Sequence, residues 1–223
     1  PNYRQLYMSY AVYVREVDKD DEKAIEIIDK MNEVMSPDAI PLTFDDEYKV
    51  ARLYQECGNQ EKAEEYARMC INSCKTIIGT KNIMDDLVQY EVQGQFMGPY
   101  RVTAEMYELL GEYDNAIQIL SDLHERSNTL FQSGRINQNS REAQAIVTSI
   151  YDLKVKMDIY RVEKTEASGD IAGAIKQAEE IMDSYIKSGD EYMPYFSRDL
   201  SAKIMELKAK IDPDSAIALS ASE

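Results

Sequence analysis

The feature that most constrains this chain is a spacing that occurs twice in full and a third time in part. Alanine is followed three residues later by tyrosine, four further on by glycine, and five after the glycine by a second alanine. The first copy is Ala51, Tyr54, Gly58 and Ala63, and the second is Ala104, Tyr107, Gly111 and Ala116. The third keeps Gly169 and Ala174 but has Val162 in place of the leading alanine. A degenerate fourth copy opens the chain, with Ala11, Val14, a charged turn at 18–23, then Ala24, Ile28 and Met31. Each element has a physical use. Glycine supplies the left-handed backbone that lets a helix end and the chain reverse within a few residues. The alanines sit where two antiparallel helices cross closely, and Tyr54 and Tyr107 lie one turn beyond on the packed face. Asn59 and Asp170 stand where they can cap the second helix of their pairs.

The spacing predicts helices near 3–16, 22–35, 45–57, 60–78, 99–110, 112–127, 141–168, 171–187 and 194–211. Pro37 and Pro41 mark the first connection, because proline sits badly inside a helix. Ser140 is the expected cap of the long helix, after a polar stretch 132–140 expected to be a mobile loop. Leu200, Ile204, Leu207 and Ile211 give the last helix one apolar face, as suits a capping helix. The tail from Asp212 is expected to fray.

Helix, tight turn, helix with small residues at the crossing resembles the tetratricopeptide repeat, over 45–78 and 97–127 most closely, then 158–188 and 3–36. The resemblance implies an all-α fold, an irregular right-handed solenoid of antiparallel helix pairs without β-sheet, filling one domain over 1–211. The departures are also clear. Gly58, Gly111 and Gly169 are 53 and 58 residues apart, against about 34 in uninterrupted repeats of that family. Extra segments near 79–96 and 128–157 are therefore expected between copies, at least one of them protruding. The chain also has no tryptophan.

Charge and chemistry narrow the function. With 25 basic and 41 acidic side chains among 223 residues, the net charge is −16, which disfavours nucleic acid and anionic membranes. No stretch is apolar enough to span a bilayer, so no membrane insertion by this chain is expected. Cys57, Cys70 and Cys74 are too few and too irregular for a disulfide framework and read as structural thiols. His124 is the lone histidine, short of what a zinc site or a catalytic triad needs, and reads as a surface or helix-end residue. The runs Asp45-Asp46-Glu47 and Glu179-Glu180 read as solvated faces and first turns favoured by the helix dipole. Most of the 16 tyrosines read as packing residues. No catalytic residue, metal or cofactor is expected.

A second resemblance lies in 24–66, through Met35-Ser-Pro37-Asp-Ala-Ile-Pro41, and in Pro99-Tyr100-Arg101. These stretches are similar to the soluble C-terminal tail of bacterial multi-pass membrane proteins related to protein O-mannosyltransferases. That likeness implies an extracytoplasmic, membrane-tethered location; without it the chain reads as cytoplasmic. A chain that starts at Pro1 within a helical pattern also reads as a piece of a longer protein.

The tetratricopeptide resemblance implies a groove lined by the first helices of each pair. Its offsets fall on Tyr48, Arg52 and Glu56, then Arg101, Glu105 and Glu108, then Ile159, Glu163 and Glu166. Repeat proteins of that family that clamp a chaperone's C-terminal carboxylate carry basic and amide side chains there. This face has two arginines against five glutamates, which suits a basic or neutral protein segment. The same residues could equally be a solvated face with the working surface elsewhere. Two functions follow: a non-catalytic protein- or peptide-binding scaffold, or the accessory tail of a membrane-bound glycosyltransferase-like protein.

Overall fold

Gly58, Gly111 and Gly169 take φ values of +77°, +69° and +89°, the left-handed backbone the spacing requires. The computed structural model describes residues 3–37, 39–80, 98–190 and 193–211. It places helices at Tyr3–Tyr13 (α1), Asp21–Val34 (α2), Phe44–Glu56 (α3), Gln60–Thr80 (α4) and Pro99–Leu109 (α5). These are followed by Tyr113–Gln132 (α6), Arg141–Ala167 (α7), Ile171–Lys187 (α8), Met193–Phe196 (α9) and Arg198–Ile211 (α10). No strand occurs among the described residues. Over these residues the fold is all-α and built of tetratricopeptide-like helix pairs. The described residues divide into two compact units, one within 3–80 with 99–110, the other within 111–211.

In the first unit α1 packs on α2, α3 on α4, and α4 on α5. Asn59 caps α4, its Oδ1 accepting from the Lys62 amide at 3.2 Å, and Thr43 caps α3 through Asp46 at 3.2 Å. Ala51, Ala63 and Ala104 are buried with Tyr54 and Tyr107, as expected of close crossings. The degenerate copy turns without glycine. A π-turn at Val14–Asp18 ends on Lys19 at φ 57°, and Asp20 caps α2 through Lys23 at 2.9 Å. The connection around Pro37 and Pro41 is tied down by buried Arg4. Its guanidinium donates to the carbonyls of Met35 at 3.1 Å, Pro41 at 2.9 Å, and Ile40. Cys70 and Cys74 are buried, Cys70 donating to the Phe44 carbonyl at 3.3 Å, whereas Cys57 is only half-buried.

In the second unit α7 packs on α6 and α8, and α10 packs on α8 and α7. Ser140 caps α7 through Ala143 at 3.1 Å, and Asp170 caps α8 through Gly173 at 2.8 Å. One core joins Val155, Ile159, Val162, Ala174, Ala178, Tyr185, Leu200 and Leu207; Ile211 lies outside it, exposed. Buried Asp158 accepts from the Tyr185 hydroxyl and from Arg161.

Two expectations need correction. Segment 128–157 is not a separate insertion, because α6 runs on to Gln132 and α7 begins at Arg141, so the long period comes from longer helices. The connection 133–140 holds local turns, with Ser140 N donating to Asn137 O at 2.8 Å. The last helix is broken at Ser197 into α9 and α10. The expected extra segment at 79–96 and the expected fraying from Asp212 lie largely outside the described residues. The second copy has one helix in each unit.

Candidate functional site

On α3, residues four apart share a face, so Tyr48 and Arg52 look out together beside Arg101, Glu105 and Glu108 of α5. All five are half-buried. The Tyr48 hydroxyl donates to Glu105 Oε2 at 2.7 Å, joining the two helices. Burial, with the Glu105 carboxylate beside it, holds the Tyr48 phenol well above its ordinary range. Glu108 adds to that shift and Arg52 opposes it. Arg52 donates to Gln55 Oε1 at 3.1 Å. Glu56, one turn further, is more exposed and is engaged by Arg15 of the π-turn at 2.8 Å. The first unit thus brings together five of the nine expected positions and ties the sixth to the N-terminal turn.

The three positions on α7 do not form an open surface. Ile159 is buried in the core of the second unit, so it offers no contact to a ligand. Glu163 and Glu166 face α10. Lys203 Nζ lies 3.8 Å from Glu163 and 2.8 Å from Glu166, and Lys210 Nζ lies 2.5 Å from Glu166 and 2.6 Å from Glu206. The reason is packing. Leu200, Ile204 and Leu207 seat α10 on the α7–α8 pair, and that seating lays two lysines over the glutamates. Burial pushes the Glu166 carboxyl up, but hydrogen bonds and charge from Lys203 and Lys210 outweigh it, and the net shift is downward. Glu206 is lowered chiefly by its bond from Lys210. These glutamates are the partners of a structural ion cluster.

Sequence reasoning missed a second concavity in the first unit, a cleft of about 530 Å³ between α2, α3 and α4. Asp29 is its hub. Asp29 Oδ1 accepts from the Tyr54 hydroxyl at 2.6 Å and from Lys62 Nζ at 2.5 Å. Lys62 also sits 5.3 Å from the Tyr54 ring centroid, and Tyr66 packs on Tyr54 with centroids 5.6 Å apart. Burial and nearby carboxylates push the Tyr66 phenol up to about 12. The rim carries Glu26, Glu33 and Glu65 beside Lys30. Tyr54 was legible as a packing residue, but its partner Asp29 lies in the degenerate first copy, where the spacing is weakest.

His124 stands in the middle of α6, not at a helix end, half-buried with Asn128 one turn on. Burial and the charge of Lys154 lower its pKa. No group of three or more metal-ligating side chains occurs among the described residues. No helix there is long and apolar enough to cross a membrane.

No family model matches the chain, and no curated protein matches it. Among solved structures, a Podosopora anserina protein described as a kinesin light chain with nearly identical TPR-like repeats aligns with 93% of this chain and 96% of its own. Its identity is 12% and the TM-score is 0.42. The helix-pair architecture of this chain therefore stands on its own turns, caps and packing.

Proposed function

We propose that the chain is a non-catalytic protein-binding scaffold that takes a basic or neutral polypeptide segment on the α3–α5 face of its first unit. The observation that carries this reading is the Tyr48–Glu105 hydrogen bond. It fixes an aromatic side chain and a carboxylate across two helices, so the surface is shaped before any ligand arrives. Glu108 and the −16 net charge favour a basic segment through long-range attraction. Exposed charge pairs contribute little, roughly 0–1 kcal/mol each, so affinity would rest on Tyr48 and the aliphatic parts of Arg52 and Arg101, with charge selecting the partner. The accessory-tail alternative draws largely on the connector around Pro37 and Pro41, whose carbonyls already serve Arg4. Gene sequence upstream of Pro1 decides that alternative, hydrophobic spans favouring it.

The test is a peptide-array screen followed by titration of the best hit at low and high ionic strength. Hits should be basic or uncharged, and their binding should weaken with salt. Glu105→Gln with Glu108→Gln removes both charges while leaving Tyr48 an amide oxygen to bond, and should weaken binding further without changing the melting transition. A strongly acidic hit, or one indifferent to both salt and the double variant, would sink the proposal.

A further inference from the structure

The first helix is apolar on two sides. Arg4, Met8, Ala11 and Val14 point inward and are buried. On the outside Tyr3, Leu6, Tyr10, Tyr13 and Val17 are 63%, 66%, 49%, 52% and 59% exposed. Tyr3, Leu6, Tyr10 and Tyr13 are spaced three, four and three along α1, the seam of a helix that packs knobs-into-holes on another helix, and Val17 extends the row on the π-turn. A row of five large apolar side chains on one face is not the single scattered kind that needs no explanation.

From this stripe we infer that α1 is a self-association surface, and that its occupant is α1 of a second copy, crossing antiparallel about Tyr10. Three observations select that occupant. The stripe is self-complementary when reversed. With Tyr10 on the two-fold axis, Tyr3 faces Val17 of the other copy, Leu6 faces its Tyr13, and Tyr10 meets Tyr10, so large side chains meet smaller ones along most of the seam. That is the pattern an isologous contact requires.

The charge distribution agrees. Across Tyr3–Tyr13 there is no acidic residue, and Arg4, the lone basic one, is turned inward onto backbone carbonyls. A chain of −16 therefore presents to its copy a strip that carries no charge over α1, with exposed Glu16 and Asp18 beside Val17 at its far end. The area is also sufficient. Five side chains at these exposures offer roughly 100 Å² each, on the order of 1,000 Å² over both copies. That is the lower limit for a specific interface, so the dimer is weak and reversible.

Sedimentation equilibrium of the whole chain up to about 100 μM, in low and high salt, tests this. Wild type should pass from monomer to dimer as concentration rises. Association should strengthen about threefold or more between low and high salt, because two −16 chains repel and salt screens the repulsion. Ligand binding on the α3–α5 face has the opposite salt dependence, so failure of one reading is distinguishable from failure of the other. Leu6→Lys with Tyr10→Lys should hold the chain at 25.5 kDa. Those lysines lower the net negative charge and would by charge alone favour pairing, so lost association reports lost apolar contact. If that variant misfolds by circular dichroism, Tyr3→Ser with Tyr13→Ser, which also thins the stripe, should give the same loss. A wild type that stays monomeric throughout, or a dimer untouched by stripe variants that remain folded, overturns the inference.

Discussion

Glu47 is a carboxylate placed where a neutral side chain would serve better. It is 5% exposed, and its Oε2 has no hydrogen-bond partner. Burial raises its pKa, opposed by a hydrogen bond with Ser73 and helped by Asp46. The folded chain therefore holds this proton more tightly than the unfolded chain does. Near neutral pH the site costs stability, and the cost fades as pH falls towards the ordinary carboxylate value. Glu47→Gln keeps the shape and removes the charge, and should raise stability by about 1 kcal/mol at pH 8. Denaturant midpoints at pH 8 and pH 4.5 check this; the gain should shrink at the lower pH. The sequence could not have shown it, since in Asp45-Asp46-Glu47 the carboxylates look alike. Asp45 pairs with Lys49 at 2.5 Å and Asp46 accepts from Gln5 at 2.9 Å, while Glu47 is turned into the helix pair.

Among helices, what could be read beforehand was what short range decides. Asn59, Ser140 and Asp170 cap the helices they were expected to cap, because the capped amide lies three residues along the chain. Ala63 shows the same for pairing. It is fully buried, and Ala63→Leu should cost roughly 1–3 kcal/mol by forcing α3 and α4 apart; an unchanged denaturant midpoint would show that the crossing has room. The α7 helix was legible in its bounds and its cap but not in its surroundings. It packs against α6, α8, α9 and α10, so apolar residues from Ala143 to Val162 go round it and the one-sided period that marks an amphipathic helix is lost. The extra segment expected near 128–157 came from the spacing of the turn glycines, and longer helices take up that spacing instead. Ile159, assigned to a groove by an offset borrowed from regular repeats, proved to be core.

Over the whole chain, the net charge conceals how unevenly charges are used. Glu163 and Glu166 count towards −16, yet Lys203 and Lys210 meet them from 37 to 44 positions away, a separation no local pattern reports. The Lys203 side chain is 12% exposed. Burial lowers its pKa, but Glu166, Glu163 and Glu206 more than compensate and the net shift is upward. Lys203→Ala should destabilise the second unit by roughly 1–3 kcal/mol near pH 7, leaving half-buried carboxylates facing one another. Glu166 and Glu206 have lowered pKa values in the fold, so the stability they contribute is present above the ordinary carboxylate range and is lost as pH falls through those lowered values. The variant's deficit should therefore shrink in acid. Hydrogen exchange resolved by segment, at pH 7 and under acid, checks both statements: α10 should lose protection while α3 and α4 keep theirs.

The unbroken run of α7 has a consequence for which length changes the fold can absorb. Each residue in a helix turns the chain by about 100°, so deleting one residue near Ser149 would rotate everything beyond it. Val155 and Val162 would leave the core, and Glu166 would swing away from Lys203. The turn at 133–140 carries no such phase. Relatives of this chain should therefore differ in length between Gln132 and Arg141 and keep a constant residue count from Arg141 to Gly169.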